Sequence, residues 1–155
     1  MAEIIYAEQQ RFRQWWLWLL ILATSGIVGV LLINRGRNAI IDIFEFFLVV
    51  VGLPLFFAIL RLRTRVSAEE VELEFAPIWT RAIPVDLIES AAATRYNPIR
   101  HYGGWGIRYS RRRGWAYNVS GNEGVLLTLT EGKPVLIGSR RSDELAAAIN
   151  SVIAR

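Results

Sequence analysis

The stretch His101-Tyr-Gly-Gly-Trp-Gly-Ile-Arg-Tyr-Ser-Arg-Arg-Arg-Gly-Trp115 gathers residue types that do chemistry elsewhere: the single histidine, three glycines around Trp105 and an arginine triplet. Glycines ahead of basic residues suggest a phosphate cradle. A dinucleotide-type G-x-G-x-x-G frame starting at Gly104 would need glycine where Tyr109 stands, and no helix or P-loop lysine follows. Glycines placed before a strand instead mark a bulge, a bend or a close backbone approach. Arg111, Arg112 and Arg113 fall between the strand-like runs 106–109 and 115–119, so they read as a hairpin tip. A solvated tip is the plain reading. The sharper one makes the triplet, with Trp105 and Trp115, a contact for anionic lipid or an acidic partner, each basic group near a negative leaflet contributing about 1 kcal/mol. Nucleic acid is disfavoured, because strand alternation sets Trp115, Tyr117 and Val119 on one face as core rather than as an exposed stacking platform.

Acid–base catalysis would have to be built on His101 and scattered carboxylates. Nothing in the sequence sets His101 beside Ser110, Ser120 or Asp86 as a triad requires. With no cysteine and one histidine there is no credible metal site and no disulfide framework. The chain reads as non-enzymatic, without a cofactor or a metal.

The elements that position this stretch begin in a membrane. Residues 15–33 carry no charge and span about 28 Å as a helix, enough to cross a bilayer. A second apolar run, 46–60, reaches that length only when started at Ile40, which puts Asp42 and Glu45 at the membrane edge. The spacing predicts a transmembrane helical hairpin turning at Asn34–Asn38, with Arg35 or Arg37 available to pair with Asp42 and Glu45. Basic residues flank its ends five to two: Arg11, Arg13, Arg61, Arg63 and Arg65 against Arg35 and Arg37. This places both termini in the cytoplasm, with Trp15, Trp16 and Trp18 and Arg61, Arg63 and Arg65 as interface anchors. The first run is longer than a signal core and lacks a small-x-small cleavage site, so it reads as a retained anchor. Ser25 and Gly29, four apart, and Gly52 in the second run suit close helix packing, and Pro54 should bend its helix.

The pI near 10 follows from the membrane segment more than from the remainder. Residues 66–155 hold eleven Lys/Arg against ten Asp/Glu, which is not the balance of a uniformly basic nucleic-acid binder. In Glu70-Val-Glu-Leu-Glu-Phe75 the glutamates alternate with apolar residues, as in a strand with one wet face. Further strand-like runs follow at about 78–84, 87–96, 105–110, 115–120, 124–130 and 134–138, with Glu131-Gly132 as the clearest hairpin turn. Ser142 with Asp143 and Glu144 starts an amphipathic helix bearing Leu145, Ile149, Val152 and Ile153. Seven short antiparallel strands with one terminal helix suggest a small capped barrel.

On "IPVDLIESAAATRY", "YGGWGIRY…GWAYNVSG" and "VLIGSRRSDELAAAI", and on the element order, the whole chain resembles small bacterial membrane proteins in which a two-helix hairpin precedes a pleckstrin-homology-like (PH-like) domain. The resemblance implies an α+β fold: a seven-stranded antiparallel barrel capped by a C-terminal helix. It implies no activity, and the group is largely uncharacterised. The expected organisation is a cytoplasmic N-terminal segment at 1–14, a transmembrane hairpin at 15–62 and a cytoplasmic PH-like domain at 66–155, integral to the inner membrane. The expected role is a membrane-anchored interaction module or an accessory subunit of a membrane complex. Such a subunit would show an aromatic patch around Trp79, Trp105 or Trp115. The alternatives are a self-assembling structural protein and an anionic-lipid sensor. The expected partners are thus the lipid bilayer, a membrane protein or a second copy of the chain, and anionic lipid.

Overall fold

The computed structural model describes residues 4–12, 14–34 and 39–154. The chain forms two units: a helical unit over Phe12–Leu60, and a β domain that joins the residues up to Arg11 with those from Arg61 onward.

In the helical unit, α1 (Trp15–Ile33) has a mean hydropathy of 2.1 over Trp15–Leu32 and is long and apolar enough to cross a membrane. Its partner is α2 (Ala39–Phe47), a π turn over Leu48–Gly52, and α3 (Leu53–Ile59), of which Ile43–Ile59 is a shorter apolar helix. The turn at Asn34–Asn38 lies outside the described residues apart from Asn34, as do Arg13 and the Asp42 side chain.

Pro54 produces the π turn rather than a simple bend. Leu53 N–H donates five residues back to the Leu48 carbonyl, and the next nitrogen, in Pro54, has no hydrogen to give Val49. The Val49 carbonyl is filled from the other helix by Ser25, whose Oγ donates to it at 3.1 Å. One turn on, Gly29 lets the helices close: a Cβ there would stand 3.1 Å from the Phe46 ring and 3.2 Å from Val50 Cγ2. Gly52 faces Leu48 and Phe47 of its own helix. An orphaned carbonyl in an apolar medium is costly, so Ser25→Ala should destabilise the helix pair by about 1 kcal/mol. Ser25→Thr should retain most of that stability. Reversible unfolding in bicelles measures both, and equal stability of Ser25→Ala and the native chain would show that the bond contributes nothing.

Among the described residues the β domain has nine strands in two open sheets, not seven in a closed barrel. The first sheet runs in the order β1 (Ile4–Arg11), β2 (Arg61–Ser67), β3 (Glu70–Ala76), β4 (Trp79–Pro84), all antiparallel. Its inner face carries Leu62, Val66, Val71, Leu73 and Phe75. On its outer face, Arg63 pairs with Glu74 at 3.2 Å and Arg65 with Glu72 at 2.9 Å, across the β2–β3 register.

The second sheet has the order β5 (Ile88–Arg95), β8 (Glu123–Leu129), β9 (Val135–Gly138), β7 (Gly114–Asn118), β6 (Gly106–Ser110). Of the seven expected strands each is present, and the 129–135 turn is a hairpin as expected. The departure is β9, which inserts between β8 and β7 and runs parallel to β7. Gly114, Gly124 and Gly138 permit that insertion, because a Cβ at Gly114 would run into the Pro134 carbonyl and one at Gly124 into the Ile137 carbonyl. The helix α4 (Pro98–Tyr102) belongs to a small cluster of Tyr96, Tyr102, Ala116 and Leu136, where burial pushes the Tyr96 hydroxyl up to about 12. The C-terminal helix α5 (Ser142–Ile153) lies against β5 and β8 on Leu145, Ile149 and Val152.

Two of the four sheet edges are closed by side chains. Asn150 of α5 mimics a strand against β5, accepting from Ala91 N–H at 3.1 Å and donating to the Ala91 carbonyl at 2.7 Å. Arg141 covers β1 by donating to the Ala7 carbonyl at 2.9 Å.

Candidate functional site

Tyr117 organises the end of the β domain between β4 and β7. Its ring stacks on Trp79 at 5.1 Å and on Trp115 at 6.2 Å, with interplanar angles of 13° and 11°. Trp115 in turn meets Tyr109, its register partner across β6–β7, at 5.0 Å. The result is a ladder, Trp79–Tyr117–Trp115–Tyr109, that starts in one sheet and ends on the outer strand of the other. Trp79 is half-buried, and from Tyr117 outward exposure rises: Tyr117 is 1% exposed, Trp115 39% and Tyr109 49%.

Cations meet the ladder at Tyr117 and at its outer end, Tyr109. Arg81 lies 5.9 Å from the Tyr117 ring centroid and donates from Nη1 to the Tyr117 hydroxyl at 2.8 Å. Lys133 sits 5.1 Å over the Tyr109 ring, donating from Nζ to the Tyr109 hydroxyl at 2.8 Å and to the Arg111 carbonyl at 2.6 Å. These are cation–aromatic contacts of the kind worth about 0.5–1 kcal/mol at exposed sites. Lys133 thereby bonds to the hairpin tip, and Arg111, Arg112 and Arg113 are exposed on it. The tip is a β6–β7 turn, where the sequence places it.

Trp105 is secured at another point: its Nε1 donates to the Gly121 carbonyl at 3.1 Å, and its own carbonyl accepts from Arg108 Nε at 2.9 Å. Gly103, Gly104 and Gly106 all have positive φ, so the glycine run is a backbone bend leading into β6. His101 Nδ1 accepts from the Asn97 N–H at 3.2 Å, a local bond at the start of α4. Among the described residues no group of three or more His, Asp or Glu is placed to hold a metal ion.

No known family model matches this chain, and no curated protein does.

Of the interface anchors named from sequence, Trp15 and Trp16 project from the first turn of α1, while Trp18 Nε1 donates to the Phe12 carbonyl at 3.2 Å. Arg63 and Arg65 are engaged with Glu74 and Glu72 as described, and the Arg61 Nε is buried without a hydrogen-bond partner. Arg81, Tyr109, Tyr117 and Lys133 were not legible as a group, since their contacts cross between strands far apart in sequence. The lone signal was aromatic density around an arginine triplet.

A second polar cluster lies along β1, beside a groove of about 340 Å³ lined by Ala7, Glu8, Gln9, Arg140 and Arg141. The Glu8 carboxylate accepts from Ser139 Oγ at 2.6 Å, from Tyr6 OH at 2.9 Å and from the Arg140 N–H at 3.0 Å. Gln10 Nε2 donates to the Gly138 carbonyl at 2.7 Å, and burial raises the Tyr6 hydroxyl to about 12. This cluster sews the N-terminal strand to the loop before α5. The Glu8 carboxylate is satisfied within the cluster, whereas Gln10 Oε1 is buried without a partner.

Proposed function

We propose that this chain is a non-enzymatic, membrane-anchored interaction module, an accessory subunit that presents a PH-like domain at the cytoplasmic face of the inner membrane. One observation carries the topology. Strand β1 precedes the helical unit and β2 follows it, yet the two pair in one sheet with Arg11 opposite Arg61. Both ends of the helical unit therefore enter the same folded domain and must lie on the same side of any bilayer. If α1 crosses, the second apolar run has to return, and the Ser25–Val49 bond supports such a hairpin. The five-to-two excess of basic residues at the domain side supports the cytoplasm as that side.

The PH-like reading rests on the sequence resemblance and on a C-terminal helix laid against the sheet; the open sheets and the parallel β7–β9 pair depart from it. The interaction role is supported by the half-exposed aromatic ladder with its cationic border, which a single copy leaves uncovered.

Native mass spectrometry of the full-length protein released with its own lipids tests the role. A second polypeptide at fixed stoichiometry is the expected result; a ladder of self-multiples would replace the accessory reading with self-assembly. In the same cells a single Asn38→Cys thiol should react only from the outer side, and reaction from the cytoplasm would overturn the hairpin.

A further inference from the structure

We infer that the β6–β7 hairpin face, Tyr109 and Trp115 with Arg111, Arg112, Arg113 and Lys133, is a docking surface for the anionic headgroup layer of a lipid bilayer. The inference rests on the membrane-anchored reading and names the partner of that same site.

Charge comes first. Residues 90–122 contain six arginines and no aspartate or glutamate, and half of those arginines are the exposed tip. Arg95, by contrast, pairs with Glu123 at 2.9 Å, well along the sheet from the tip. The tip carbonyl at Arg111 is already satisfied by Lys133, so the arginine side chains extend from a turn whose backbone is held in place. The turn backbone therefore adds little ordering cost when the side chains meet an anionic layer.

The aromatic component selects the kind of anionic partner. Tyr and Trp rings with one apolar body and one polar tip favour the headgroup region of a bilayer. Tyr109 and Trp115 are the two outermost rings of the ladder, 49% and 39% exposed. Nucleic acid would need ring faces free for stacking, whereas the Trp115 ring is already stacked on Tyr117 and tilted against Tyr109. A bilayer is also the surface the chain brings with it. Only three residues separate the end of β1 at Arg11 from the start of α1 at Trp15. A domain on so short a tether meets lipid at high effective concentration, so a weak face suffices.

The test uses the full chain. It contains no cysteine, so Ser110→Cys provides a unique site at the tip for a spin label. The labelled protein is reconstituted into phosphatidylcholine vesicles with or without phosphatidylglycerol, and label depth is read by power saturation with oxygen and a water-soluble nickel chelate. With phosphatidylglycerol the label should sit in the headgroup layer; without it, or at high salt, the label should be in water. Changing Arg111, Arg112 and Arg113 together to glutamate should cut the docked-to-undocked ratio on the order of a hundredfold, with an unchanged near-ultraviolet spectrum showing that the aromatic ladder survives. A label equally wet in both lipids overturns the proposal. So does a label that is shallow in both and indifferent to the triple change, or one that responds only to added polyglutamate, which marks an acidic protein surface instead. An alkaline wash of the same vesicles separates this failure from that of the anchored reading: inserted protein with a wet tip rejects lipid docking alone, whereas extractable protein rejects the anchor itself.

Discussion

Replacing Tyr117 with alanine is expected to destabilise the β domain by about 3–5 kcal/mol, the range for deleting a fully buried aromatic ring. Tyr117 is 1% exposed, and its ring touches both Trp79 of the first sheet and Trp115 of the second. Its removal opens a cavity between the sheets and takes from the Arg81 Nη1 the hydroxyl it donates to at 2.8 Å. Because the sheets are not closed into a barrel, backbone pairing does not join β4 to β7, and side chains must do so at this end. Tyr117→Phe separates the contributions: it keeps the stack, loses the Arg81 bond and should cost about 1 kcal/mol. Trp79→Ala and Tyr117→Ala combined should cost clearly less than the sum of the single changes, since each removes the same stack. Guanidinium unfolding of the full chain in detergent, followed by near-ultraviolet circular dichroism, measures all four. A Tyr117→Ala variant within 1 kcal/mol of the native chain would mean that the ladder decorates the sheets without joining them.

Seven strands were legible, β3 from its glutamate–apolar alternation and the other six as short runs rich in β-branched and aromatic residues between turn signals; β9, buried at every position, has no alternation to read. The two that were missed show where that signal fails. In β1 the side chains on the inner face are Tyr6, Glu8 and Gln10, opposite Val66, Thr64 and Leu62. Two of the three are polar, so no hydropathy alternation survives, and their partners, Ser139, Arg140 and Gly138, lie about as far away as the chain allows. In β2 the alternation is present, but Arg61, Arg63 and Arg65 also satisfy a topological rule for membrane ends, and that explanation sufficed without a strand. The two meanings are compatible: the three arginines follow the helical unit directly, and two of them, Arg63 and Arg65, cross-pair with Glu74 and Glu72.

The sheet order was hidden for a different reason. Nothing local distinguishes a β9 that hairpins onto β8 alone from one that also inserts against β7. That choice is made by glycines whose missing side chains matter only once the neighbouring strand is in place. The arginine tip was legible from turn signals on either side. The ladder behind it was legible only in part, because Trp115 and Tyr117 announce a shared face, whereas Trp79 and Arg81 reach it from another sheet.

The glycine that admits β9 gives the second large effect. Gly114 has φ 78°, and a Cβ on it would run into the Pro134 carbonyl, the same oxygen that accepts from Trp115 N–H at 3.2 Å. Gly114→Ala therefore carries two costs, a left-handed backbone for a residue with a side chain, about 1–2 kcal/mol, and a collision with backbone that cannot rotate away, about 1–3 kcal/mol. Gly121→Ala is the control, because Gly121 has a similar φ of 75° but open space around the position of a Cβ. The difference in unfolding free energy between the two variants isolates the collision. Gly114→Ala should be the worse by about 1–3 kcal/mol, and amide exchange should quicken at Trp115, Ala116 and Tyr117, which oppose Val135, Leu136 and Ile137 in the parallel pair. Equal losses in the two variants would show that β9 yields at no cost and that its place between β7 and β8 is not fixed by close approach. Because Trp115 follows Gly114 directly, any such shift also moves the outer half of the aromatic ladder and the arginine tip, so the packing that orders this sheet also aims the face proposed to dock on lipid.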